Sequence, residues 1–216
     1  MPRTYPLALS EFQDLFNLQF ARFIPDGAKE VTRDGNGKQF SASVGDVIWK
    51  GKFRIPPTND RSLAHKIDTL LSLAHRSGSS VLLYDPSKTH PADDPDGSIL
   101  GASTPQISSL DATDARLMAI SGLPANYQLR FGDHIGIVQS GLYMLHSVAE
   151  DVQANGSGVT PLLEVDPFVR DELNTGSPVT LIKPVIKAVI SATPDYGSHR
   201  AVVSSSKAFQ FVQDTD

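Results

Sequence analysis

The sequence predicts a mainly β fold with one main α-helix, an α+β chain whose second half forms a small β-barrel or sandwich. Three observations lead there. Short runs of apolar and polar residues recur at regular spacing, separated by glycine, proline and Asx turn signals. One stretch, Leu63 to Ala74, carries an apolar stripe at helical spacing. Between the helix and most of the short runs lies a polar, proline-rich connector over residues 86–101, where the chain changes character.

From the N-terminus, Leu9, Phe12, Leu15 and Phe16 follow helical spacing, with Ser10 as the cap of one or two turns. Phe20 and Phe23 lead into a Pro25-Asp26-Gly27 turn. Residues 30–33 and 38–42 flank Asp34-Gly35-Asn36-Gly37, which tolerates the positive φ angles of a tight hairpin. Residues 46–55 alternate as a strand once Gly51 is allowed as a bulge, and Pro56-Pro57 ends it for want of N–H donors. Thr58 or Asn59 caps the helix, Leu63, Ile67, Leu70, Leu71 and Ala74 form its stripe, and Gly78 supplies a left-handed stop. Val81 to Asp85 is nearly all apolar and reads as a strand buried on both faces. Beyond the connector, strands are expected near 104–109, 115–121, 127–130, 133–139, 142–150, 160–166 and 178–182. Residues 183–191 lead back out to a Pro194–Gly197 turn, Ala201-Val202-Val203 and a closing strand with Phe209 and Phe211.

Composition narrows the function. The chain has 216 residues, enough for one sizeable core or for one domain with a second inserted. It has no cysteine, which removes disulfides, thiolate nucleophiles and Cys-based metal sites together. The net charge is −5, and Lys183 and Lys187, flanking Pro184, are the nearest approach to a basic cluster. That argues against specific nucleic-acid binding, which gains affinity by neutralising phosphates. No run approaches the roughly 18 apolar residues of a membrane helix, so no membrane insertion is expected. Met1 to Pro6 lacks the apolar stretch of a signal peptide, and synthesis and folding in the cytoplasm of the producing cell are expected.

Motifs for chemistry are sparse. Asp93-Asp94-Pro95-Asp96-Gly97 invites a calcium-loop reading, but Ala92 and Ser103 stand where ligands are required, so a solvated loop is expected. Asp34–Gly37 lacks the third glycine and the following helix of a phosphate loop. Of six histidines, His134 and His146 fall on expected neighbouring strands, leaving a two-histidine site open beside the reading of two ordinary barrel histidines. No Gly-x-Ser-x-Gly elbow exists, and Asn155-Gly156-Ser157 reads as a turn. Trp49, Tyr143 and Phe131 either form a sugar-stacking platform or belong to the core. No catalytic, cofactor-binding or metal-ligating residue is assigned, and the chain is expected not to be an enzyme.

The order of several stretches carries a resemblance. They are Tyr5-Pro6-Leu7-Ala8-Leu9, Val47 to Phe53 followed by the helix and Ser80 to Asp85, and Asp96 to Pro105. Gly122 to Asp133, Leu145 to Val148 and Val165 to Arg170 complete the set. Over nearly its whole length the chain resembles siphophage distal tail proteins, of the type found in alphaproteobacterial phages and prophages. The resemblance implies a structural virion protein that forms a hexameric ring at the distal end of the tail, joining the tail tube protein to the tail hub and tip. It implies a β-sandwich belt domain over 1–98 and 186–216, with an inserted small OB-like β-barrel over 99–185. It brings no catalytic residue and no cofactor. A ring requires head-to-tail interfaces, for which edge strands of the belt sheet are natural candidates.

Two other classes compete. A carbohydrate-binding module for host-surface attachment would lose glycan affinity when an exposed Trp49 or Tyr143 is changed to alanine. A hydrolase with a dispersed site would need a pocket holding a carboxylate or histidine of perturbed pKa. Another tail-hub or minor tail protein, from a threefold ring, stays within the virion.

Overall fold

A computed structural model describes residues 3–27, 29–43, 45–198 and 203–215. The architecture is mostly β with one α-helix, as the sequence predicts. Four strands precede the helix: β1 (Phe20–Asp26), β2 (Lys29–Arg33), β3 (Gln39–Ser43) and β4 (Ile48–Ile55). Helix α1 (Arg61–Ala74) and β5 (Val81–Tyr84) follow. Then come β6 (Gln106–Leu110), β7 (Leu117–Ser121), β8 (Gln128–Leu129), β9 (His134–Gln139), β10 (Leu142–Val148), β11 (Val152–Gln153), β12 (Leu163–Asp166) and β13 (Val179–Thr180). Strands β14 (Val185–Ile190) and β15 (Lys207–Gln213) close the chain. The expected strand at Ala201-Val202-Val203 lies outside the described residues but for Val203.

The first sheet has the order β1-β4-β15-β14-β5, and every adjacent pair is antiparallel. One face packs on α1 and on two 3-10 turns, Leu9–Glu11 and Gln13–Leu15. Phe12 and Phe16 from the turns meet Phe53, Phe209 and Phe211 from the strands and Ile67, Leu70 and Leu71 from the helix. Asp60, one residue beyond the expected caps, caps α1 by accepting from Leu63 N at 3.0 Å, while Thr58 Oγ1 accepts from Asp60 N. Lys207, almost fully buried on β15, pairs with Asp68 of α1 at 2.6 Å and donates to the Tyr196 carbonyl at 2.8 Å. A buried cation without such partners would be costly.

The N-terminal segment makes two turns, as its spacing predicts, but Ala8 and not Ser10 stands at the cap of the first, and Gln13 is recruited elsewhere. Its side-chain amide donates to Tyr84 O and accepts from Tyr84 N, both at 2.8 Å, as a neighbouring strand would. Leu7 bridges Val81 in parallel on the same side. The outer edge of β5 is thereby sealed. Leu82 and Tyr84 are only half-buried, so β5 is an outer strand with one buried face, not the doubly buried strand expected.

Strand β1 was read as a lead into a turn. It runs through Pro25, which pairs with Trp49 in register. Proline fits there because β1 is the other edge of the sheet and its missing N–H costs no ladder bond. Gly51 is not a bulge, since the register runs unbroken from β1 through β4 to β15. Its role is room. A Cβ at Gly51 would lie 1.8 Å from the Arg22 carbonyl oxygen and 2.7 Å from the Phe211 ring. Phe23 and Phe211 flank it in register, with ring centroids 4.8 Å apart.

The second sheet has the order β13-β9-β10-β12-β7-β6 and is barrel-like. A bridge between Gln106 and Pro178 brings its first and last strands together. Its core holds Ile107, Met118, Ile120, Leu129, Ile135, Ile137, Leu163 and Val165.

Strand β10 belongs to both cores. Met144 and Val148 point into the barrel, while Leu145 is buried in the core of the first sheet. Trp49 Nε1 donates to Leu145 O at 2.6 Å, and Gln213 ties Trp49 N to Tyr143 O through its two amide atoms at 3.1 and 2.8 Å. Trp49→Phe keeps an aromatic ring but leaves the Leu145 carbonyl without its donor. It is expected to cost about 1–3 kcal/mol, read as a lower urea midpoint, with Trp49→Ala costing about 3–5 kcal/mol.

Candidate interaction surface

Strand alternation sends Lys50, Lys52 and Arg54 of β4 to the face of the first sheet opposite α1. The register sets Arg22 beside Lys52, Ile24 beside Lys50 and Phe20 beside Arg54. On the other flank, Gln210 and Val212 of β15 stand beside Lys52 and Lys50. Together they line an open trough of about 880 Å³, its floor partly apolar through Ile24, Val212 and Phe20. Lys50 is paired with Asp26 at 2.6 Å. Among the described residues, no carboxylate lies within ion-pair distance of Arg22, Lys52 or Arg54.

The expectation of no basic cluster is therefore corrected. Its signal was present as Lys50-x-Lys52-x-Arg54, a period-two spacing that puts all three charges on one side of a strand. Arg22 lies in a segment whose sequence points to a turn, and only the register brings it alongside.

Beyond the Asp26–Ile48 pair, β2 and β3 continue as a two-stranded ribbon with five paired positions, Lys29–Ser43 to Arg33–Gln39. Asp34 closes it as expected, its carboxylate accepting from Asn36 N and Lys38 N. Every residue of β2 is exposed, and Val31 and Phe40 are each about half exposed. A lone ribbon is marginal in water without a hydrophobic face to cover.

The opposite sign collects in the second half. Residues 85–184 hold thirteen carboxylates against five lysines and arginines, a net of −8, while the rest of the chain sums to +3. Around Arg116 the carboxylates converge. Its guanidinium reaches Asp114 at 2.6 Å and Glu164 at 3.4 Å, and the Glu150 carboxylate accepts from Glu164 N at 2.9 Å.

The sequence candidates for chemistry are held apart. His134 and His146 do lie on paired strands, but His134 is opposite Ser147 and His146 opposite Ile135, so their side chains leave opposite faces. The two-histidine site is ruled out. His134 packs edge-on against Trp49 with centroids 5.4 Å apart, in a small cleft between the two sheets that Asp85, Ser87, Lys88 and Ser147 also line. Its buried Nδ1 has no hydrogen-bond partner among the described residues. His146 Nδ1 donates to Pro167 O at 2.7 Å, which fixes the tautomer and leaves Nε2 unpartnered in the barrel wall.

Asp93, Pro95 and Asp96 are exposed, as expected of a solvated loop, but the loop is pinned at its second carboxylate. Asp94 is buried and accepts from Ile99 N, Leu100 N and the Tyr127 hydroxyl, and Asp93 pairs with Arg130 at 2.7 Å. Among the described residues, no group of three or more His, Asp or Glu is arranged to hold a metal ion. Nor is any helix long and apolar enough to cross a membrane. Trp49 is 3% exposed and unavailable to a sugar, whereas Phe131 is 75% exposed.

Burial pushes both His134 and His146 down to about 4. An unfolded histidine keeps its usual 6.5, so between pH 6.5 and 4 the unfolded chain binds more protons. Stability is therefore full above pH 6.5, falls as pH drops to about 4, and levels off below, at a cost of at most about 3 kcal/mol per histidine. Asp133, raised by burial, titrates in the opposite sense, so His146→Gln isolates the histidine contribution. The pH slope of the urea midpoint across this window is expected to shrink by about half in that variant.

No protein-family model and no curated protein matches the chain.

Proposed function

We propose that the chain is a non-catalytic structural subunit of a phage tail tip, a distal tail protein that forms a ring, of six copies, between the tail tube and the hub. The observation that carries this reading is the amount of ordered, uncovered surface on the first sheet. One face is an open cationic trough, and the described residues of β2 in the hairpin ribbon are all exposed. In a subunit of an assembly such surfaces meet neighbouring chains. The reading also fits the segregation of charge, since a ring needs two unlike patches that meet head to tail. Residues 99–185 are, in this reading, the inserted barrel unit, and the virion is where the protein works.

The carbohydrate-binding reading retains one observation, the exposed Phe131 ring. It has lost Trp49, the largest ring offered for it. Native mass spectrometry and negative-stain electron microscopy of the purified full chain separate the two. Closed rings are the expected outcome. A monomer at all concentrations up to about 100 μM, together with measurable affinity for host-surface glycans, would overturn the ring reading.

A further inference from the structure

We propose that the trough on the open face of the first sheet is the receiving half of a subunit contact, and that its occupant is the acidic Asp114–Glu150–Glu164 surface of a second copy. The inference rests on the ring reading and assigns it a contact.

Pairing through one edge of the first sheet does not close a ring. The β5 edge is met by Leu7 and by the Gln13 amide, which leaves β1 as the open edge of that sheet among the described residues. Two copies joined through the same edge form a twofold pair and stop. A closed ring of more than two copies needs two different patches on each subunit. The chain carries two with opposite sign.

The donor patch has Arg22, Lys52 and Arg54 without carboxylate partners among the described residues, over an apolar floor. The acceptor patch has three carboxylates around one arginine, so Asp114, Glu150 and Glu164 exceed Arg116 by two charges. Both patches are built on paired strands. The acceptor lies on β12, on the loop entering β7 and on the turn that follows β10, so neither patch needs to fold to bind. A nucleic-acid backbone is the weaker candidate for the trough. Three unpaired cations over apolar side chains offer few phosphate contacts, and the chain as a whole is at −5.

The test is charge reversal on the full chain, read by native mass spectrometry at low and high salt. One variant carries Arg22→Glu, Lys52→Glu and Arg54→Glu; the other carries Glu150→Lys and Glu164→Lys. All five side chains reach solvent, and circular dichroism with a melting curve checks that each variant folds. Wild-type rings are expected to dissociate as salt rises. Each variant alone is expected to lose self-association at least tenfold, and an equimolar mixture of the two is expected to regain it as rings with an even number of subunits. Rings that form normally in both variants would overturn this contact and leave the ring reading standing. A wild-type monomer would sink both. Binding of a single-stranded oligonucleotide that is abolished by the trough variant, with no effect of either variant on assembly, would assign the trough to a polyanion and overturn the proposal.

Discussion

Everything in the molecule hangs on strand β10 being shared. A β-strand has two faces, and here each is committed to a different hydrophobic core: Met144 and Val148 to the barrel, Leu145 to the first sheet. The sharing is held by direction as well as by burial. Trp49 and Gln213 come from neighbouring regions of the first sheet and spend their side-chain hydrogen bonds on the β10 backbone at Leu145 and Tyr143. Buried amide and indole groups need such partners, so the joint is specified by polar atoms in a place where apolar packing alone would allow sliding.

With that joint fixed, the remaining faces of the first sheet are set. Its inner face is taken by α1 and the two N-terminal turns, one end by β10, and one edge by Gln13 and Leu7. What stays open is a face, an edge and a ribbon, all on the β1–β4 side. Arg22, Lys52 and Arg54 sit there, and the net negative charge lies in residues 85–184. The net charge already divides along the sequence, but the basic patch is completed only by structure, since Arg22 and the 50–54 run are far apart along the chain and adjacent only through pairing.

Period-based reading recovered the elements whose signal is local. The helix stripe, the Asp34–Gly37 hairpin and most barrel strands fall within two or three residues of where alternation and turn residues put them. What failed were the elements defined by partners. Pro25 looked like a terminator because its edge position is invisible in sequence. Gly51 looked like a bulge because the Phe211 ring that needs its space lies 160 residues away. Gln13 lies in a segment whose local spacing says nothing of Tyr84, yet its side chain acts as a surrogate strand. The histidines show the same limit from the other side. Adjacent strands were foreseen, but a one-residue offset in register decides which face each ring takes, and no local pattern carries that offset.

Tyr84 and Val185 are partners in the first sheet, so the 100 residues between them leave and return through a doorway one residue pair wide. In topological terms that excursion is dispensable, since a tight turn joining β5 to β14 would preserve the order of the sheet. Energetically it is not, because Leu145 is a plug borrowed from the excursion, and the indole of Trp49 has its acceptor there. A lineage that exchanged this module for another could keep the sheet only if the newcomer also brought an apolar side chain and a carbonyl to that spot. The module is free to vary in outline, and bound at one point.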